Sequence, residues 1–257
     1  MVILKMDSKV FTIKLADVNI EIRPMHNYIQ QYCKDYIIED TPDFTVETCQ
    51  ADIDFEKQKS KEEDIREGNP VREFPDAYLE TLAVYRKIAE KLLDYQVLLV
   101  HSSCVAVDGE AYLFTAKSGT GKSTHTRLWR ERFGDRAVMV NDDKPLLKVT
   151  EQGVIAYGTP WDGKHRLSTN TAAHLKAICV LERGKDNRIE PVGAGSIFPF
   201  LLQQTYRPGE PEKMLQTIHL LETVMKKVNL YYLKCNMEPE AAIVSYGGMN
   251  GGEKSET

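Results

Sequence analysis

At residues 116–124 the chain reads Ala116-Lys117-Ser118-Gly119-Thr120-Gly121-Lys122-Ser123-Thr124, and few stretches this short restrict a fold so tightly. Glycines at these places let backbone N–H groups converge on one point, and a helix starting at Lys122 would aim its positive end at the same point. That is the construction of a phosphate-binding loop, here with Ala116 in place of the usual first glycine. Such a loop needs a strand leading in and a helix leading out. Tyr112-Leu113-Phe114 reads as the strand, and Lys122 to Phe133 predicts a helix closed by Gly134. The bare pattern arises by chance in about 2% of chains of this length, so an incidental glycine turn explains it poorly once both flanks fit. Ser118, Gly119, Thr120, Gly121, Lys122, Ser123 and Thr124 are therefore the expected nucleotide contacts. Lys122 would reach the outer phosphates, and the Ser123 hydroxyl would help hold Mg²⁺.

Two neighbouring segments narrow the fold further. Two strand-like runs, Val97–Val107 and Ala111–Thr115, are joined by Asp108-Gly109, the strongest short hairpin signal. The strand entering the loop thus has an antiparallel partner just before it, which an ordinary all-parallel nucleotide fold lacks. Twenty residues after Lys122, the apolar run Ala137-Val138-Met139-Val140 ends in Asn141-Asp142-Asp143. One helix and one strand fill the gap, so the two acids can fall beside the loop. There one carboxylate can serve a metal while the other takes a proton from an incoming hydroxyl.

The loop, the hairpin before it and Asp142-Asp143 after it resemble the HPr kinase/phosphorylase and phosphoenolpyruvate carboxykinase superfamily. Leu98-Leu99-Val100-His101 matches the place where the bacterial HPr kinases carry a histidine. The resemblance spans roughly residues 95–182. It implies a phosphoenolpyruvate carboxykinase/HPr kinase-like core of α/β class with a mixed sheet, and ATP with Mg²⁺ as cofactors. It also implies roles: Asp142 as the base, Lys122 as the phosphate cation, His101 near the transferred phosphate, Asp143 and Ser123 as metal contacts. The implied activity is a kinase transferring a phosphoryl group to a hydroxyl on a peptide or small metabolite. A nucleotide-binding regulatory or maturation protein is the alternative, and a carboxykinase, twice as long, a more distant one.

After the strand Val154–Tyr157 the chain runs Gly158-Thr159-Pro160-Trp161-Asp162-Gly163-Lys164-His165-Arg166, where the family's Glu-rich metal segment would stand. Lys164 and Arg166 could clamp an anion and Trp161 could wall an acceptor pocket. The other reading is a basic surface hairpin with its tryptophan packed inward.

The rest of the chain is plainer. Residues 10–22 and Phe44–Thr48 read as strands, and ten of the fourteen residues from Asp54 to Glu67 are charged, read as a solvated face or linker. Residues 1–70 are thus expected to form a small β-rich unit, 71–246 the nucleotide-binding domain and 247–257 a flexible tail. A helix is expected over Asp76–Asp94 and another over Glu212–Lys227 with Met214, Ile218, Leu221 and Val224 inward; Leu175–Leu181 and Leu230–Leu233 are expected strands. A net charge of −5 weighs against nucleic acid or an anionic membrane as partner. Five scattered cysteines with no paired-ligand spacing suggest packing residues in a reducing cytoplasm. Self-association is left open.

Overall fold

The computed structural model describes residues 10–163 and 165–251. They form two compact units, one reaching to Lys91 and the other beginning at Leu92.

In the first unit, β1 (Phe11–Leu15) and β2 (Val18–Arg23) form a hairpin turned by Ala16 and Asp17, both at positive φ. After the short α1 (Tyr28–Tyr32) come β3 (Ile37–Ile38) and β4 (Phe44–Glu47), giving the sheet order β3-β1-β2-β4. Phe11, Ile13, Leu15, Val18, Ile20 and Ile22 are buried, the alternate positions of a sheet with one covered face. The charged stretch is not a linker but most of α2 (Gln50–Glu67). Its polar residues hide no apolar stripe, so periodicity gives no sign of it. The helix is held by the buried Ile53, by Glu56 accepting from Arg86 at 2.6 Å, and at its ends. The Asp52 carboxylate accepts from the Cys49 N–H at 3.0 Å, and Gly68 closes it at φ 71°. α3 (Asp76–Leu92) follows and, up to Lys91, belongs to this unit rather than to the second. Its buried Glu80 accepts from the N–H groups of Met25 and His26 and from the Thr48 hydroxyl.

The second unit is built on a nine-stranded sheet. Val97–Val107 is two strands, β5 (Val97–Leu99) and β6 (Ser103–Val107), separated by Val100, His101 and Ser102. β6 and β7 (Glu110–Thr115) make the expected hairpin, with Asp108 and Gly109 at φ 53° and 84°, the pair of positive values a type I′ turn requires. α4 (Lys122–Phe133) spans the expected residues. Next come β8 (Ala137–Asn141), β9 (Leu146–Thr150), β10 (Gly153–Tyr157) and the long β11 (Ala172–Arg183). The last elements are β12 (Arg188–Pro191), α5 (Ala194–Gln204), α6 (Pro211–Lys227), β13 (Asn229–Cys235) and α7 (Glu240–Asn250).

The strand order is β5-β9-β10-β11-β7-β6-β8. β11 pairs in parallel with β7 along one edge; its other edge is shared by β10 near the start and β13 near the end. Strands alternate between two cores. Cys104, Ala106, Leu113, Ile178 and Val180 face one side with Leu201, Leu221 and Val224 of α5 and α6. Val105, Val107, Tyr112, Phe114, Cys179 and Leu181 face the other with Leu128 and Trp129 of α4 and Met249 of α7. Burial on both faces is why these strands read as near-continuous apolar runs.

Two expectations shift here. The inward side of α6 is Thr217, Leu220, Leu221, Val224 and Met225, with Met214 and Ile218 only half-buried. Gly247–Asn250, expected in the tail, are the last turn of α7, and Met249 is fully buried. A Cβ on Gly248 would stand 2.4 Å from Ile189 Cγ2, so this glycine serves close packing rather than mobility. Residues 252–257 of the expected tail lie outside the described residues.

The sheet also curls. The Thr169 N–H donates to Val140 O of β8, and a Cβ on Gly158, just past β10, would stand 1.9 Å from Thr169 O and 2.7 Å from Val140 O. Only glycine allows that approach. It carries the Gly158–Gly163 segment to the acidic end of β8.

Candidate active site

The loop leaves β7 at Ala116, turns with Gly119 at φ 74° and Gly121 at φ 123°, and becomes α4 at Lys122. No side chain caps the start of α4, and its first turn holds no acid, which leaves the positive helix end for an outside anion. Lys117, Ser118 and Gly119 are exposed. Lys122 is folded back, with Nζ donating to Ala116 O at 3.3 Å. Burial pulls its pKa down, and the carboxylates of Asp143 and Asp142 oppose that pull.

Asp142 is buried, and Oδ1 accepts from the Ser103 hydroxyl at 2.7 Å. Ser103 also shares a hydrogen bond with Thr126 at 3.0 Å, and Thr126 sits one turn into α4. A pair of hydroxyls thus fixes the acid to the helix that follows the loop. Asp143 is tied differently: Lys144 Nζ lies 2.5 Å from Oδ2 and His101 Nε2 3.3 Å from Oδ1. Burial would raise its pKa, but the His101 hydrogen bond and the Lys144 ammonium outweigh burial and hold the carboxyl far below its usual range. His101 is placed by its own backbone, whose N–H donates to Gln204 O and whose carbonyl accepts from Thr115.

Asn141 organises the acidic turn. Its side chain is completely buried. Oδ1 accepts from the N–H groups of Asp143 at 2.8 Å and Lys144 at 2.6 Å, while Nδ2 donates to Thr159 O and Thr159 Oγ1, each at 3.0 Å. One amide therefore joins the acids to the Gly158–Arg166 loop. Gly163 touches the same place, since a Cβ there would stand 3.1 Å from Asp143 Cβ.

Of the residues expected to meet an acceptor, Trp161 is fully buried, so its ring packs inward. Arg166 is half-exposed, 3.4 Å from the Asp162 carboxylate. Lys164 lies outside the described residues. Asp162 is buried; desolvation raises its pKa, and the Ser168 hydroxyl bond and Arg166 only partly counter it. Arg127 is paired with Glu131 one turn along α4.

Four residues of this arrangement escape sequence reading: Ser103, Thr126, Asn141 and Arg183. Arg183, at the end of β11, donates to Gly119 O and Thr120 O and so braces the outer side of the loop. Asn141 stands between a recognised strand and a recognised acid pair, the one signal that could have marked it. Ser103 and Arg183 are joined to the site by distant pairing alone.

A hydroxyl and a carboxylate are the donor types a hard cation takes. Mg²⁺ held together with phosphates needs only one or two protein oxygens, the number that Ser123 and Asp143 would supply. No protein-family profile matches the sequence, and no curated protein matches it. Among solved structures, the chain is similar to the Hpr(Ser) kinase/phosphatase from Coxiella burnetii, with 10% identity over 58% of this chain and 94% of that one. The TM-score is 0.35.

Proposed function

We propose that the second unit is a phosphotransferase that moves the terminal phosphoryl group of ATP to a hydroxyl. The observation that carries this reading is the chain of hydrogen bonds from Asp142 through Ser103 and Thr126 to the Lys122 carbonyl, which sets the acid turn beside the start of α4, with His101 against Asp143. Backbone N–H groups of Gly119–Thr124 and the Lys122 ammonium bind the phosphates. Ser123 and Asp143 would hold the cation, which would supply charge neutralisation at the phosphates. Asp142, with one oxygen occupied by Ser103, receives the acceptor's hydroxyl proton on the other as the new P–O bond forms and the bond to the leaving diphosphate breaks. His101 orients Asp143 and faces the transferred group. Arg166, beside Asp162, lies on the acceptor side and favours an anionic acceptor, such as a free amino acid or a peptide terminus bearing a hydroxyl.

The test is a phosphate-transfer screen with Mg·ATP against free hydroxy amino acids, sugars and serine peptides, repeated with Arg166→Ala. Transfer to one class, weakened at least tenfold in kcat/KM by the substitution, supports the reading. Transfer at full efficiency in the variant removes Arg166 from the site, and CO₂ release from oxaloacetate replaces the kinase with a carboxykinase.

A further inference from the structure

Asp162 and Arg166, four residues apart in the Gly158–Arg166 loop, form a pair of opposite charge. We infer that this pair binds the ammonium and the carboxylate of one acceptor molecule, so that the phosphoryl acceptor is a free hydroxy amino acid; this rests on the proposed function above.

Position is the first ground. Asn141, the residue before Asp142, forms a backbone bridge with Ser168, and the Ser168 hydroxyl donates to Asp162 Oδ2 at 2.8 Å. Gly163, the residue after Asp162, packs so closely that an added Cβ would stand 3.1 Å from Asp143 Cβ. Asp162 is thus tied to the turn that carries both acids. Arg166 returns toward it through a turn in which its N–H donates to Gly163 O at 3.4 Å and its φ is 52°. A positive φ is uncommon for a residue with a β-carbon and has a cost in backbone energy, met here at a side chain that faces the carboxylate.

Chemistry is the second. Asp162 is 4% exposed, and its Oδ1 has no hydrogen-bond partner among the described residues. A buried oxygen of this kind is costly until something donates to it. Arg166 Nη1 stands 3.4 Å from it, beyond good hydrogen-bond length, and the arginine side chain is half-exposed. An ammonium can take the arginine's place at Oδ1 while the guanidinium turns to a carboxylate, and both protein charges then keep a partner. An α-amino acid carries these two groups on one carbon, so its partners on the protein have to be neighbours of opposite sign. A simple anion would gain from Arg166 and be repelled by Asp162, and an internal serine of a peptide offers neither group. Burial raises the Asp162 pKa, and an arriving ammonium favours the ionised form, as Arg166 already does. Transfer then forms the bond from the acceptor's hydroxyl oxygen to the γ-phosphorus and breaks the bond from that phosphorus to the ADP oxygen. The hydroxyl proton passes to Asp142, and the products are the O-phospho amino acid and ADP.

The test measures transfer from Mg·ATP, by the full chain, to L-serine, L-threonine and L-homoserine, and to the amide, the N-acetyl and the N-acetyl amide derivative of each. For at least one free amino acid, kcat/KM should exceed that of each singly blocked derivative about tenfold or more, because a site built for a charged group is left unpaired by an analogue lacking it. Asp162→Asn, which keeps an oxygen for Ser168, should cost the free amino acid at least about tenfold more than it costs the N-acetyl derivative. The wild-type series decides the matter even where the variant fails to fold. Blocked derivatives used as well as the free amino acid, equal losses on both in Asp162→Asn, or transfer confined to sugars or serine peptides overturns the pairing and leaves the kinase standing. Transfer to none of these compounds, sugars or peptides overturns the proposed function itself.

Discussion

Replacing Asn141 by alanine removes the one side chain shared by the acid turn and the Gly158–Arg166 loop. The N–H groups of Asp143 and Lys144 lose their acceptor, and Thr159 O loses a donor. An unpaired buried polar group costs about 1–3 kcal/mol. Asp143 and Lys144 are half-buried, so the low end applies to each N–H, and the vacated amide volume adds about another 1 kcal/mol. The expected loss is about 3 kcal/mol. For a unit of this size, each kcal/mol lowers Tm by about 2–4 °C, giving a fall of about 6–12 °C. The readout can be confined to the relevant unit, because both tryptophans, Trp129 and Trp161, are buried and lie beyond Leu92. Urea unfolding followed by tryptophan fluorescence therefore reports the second unit alone. A loss below about 1 kcal/mol would refute the claim that this amide holds the turn.

Two further outcomes follow from the site. Lys122→Ala should weaken Mg·ATP about tenfold or more in calorimetry, since a charge-assisted phosphate contact is worth about 1.5–3 kcal/mol; unchanged affinity would remove the lysine from the phosphates. His125 has a folded pKa of about 4 against 6.5 unfolded, so its contribution is complete above pH 6.5 and is lost as pH falls toward 4. Unfolding free energy should drop by up to about 3 kcal/mol across that window, and His125→Gln should flatten the drop; an unaltered slope in the variant would show that the ring is not buried neutral.

What the sequence discloses is local. The loop, α4 from Lys122 to Phe133 and the Asp108-Gly109 turn are legible because glycine conformation and helix ends are written in adjacent residues. α2 is hidden because its charges leave no stripe, and its supports are side-chain pairs such as Gln50 to Asp54 and Gln58 to Glu62. α5 is obscured by Pro199 within it, and the end of α7 by glycines that look like a tail. The site itself is only half visible. Lys122, Asp142 and Asp143 announce themselves by residue type, but Ser103 reaches Asp142 across 39 positions and Arg183 reaches Gly119 across 64. Those partners are fixed by strand order, with β11 set between β7 and β10, and strand order is a property of the folded sheet.

The most direct measurement compares wild-type protein with Asp142→Asn, an exchange that keeps the oxygen accepting from Ser103. Affinity for Mg·ATP is measured by calorimetry and phosphate transfer by release of labelled product, on the same preparations. The account predicts affinity within about twofold of wild type and transfer reduced by about 10²-fold or more, the usual worth of a general base. Transfer at the wild-type rate with nucleotide bound would contradict it.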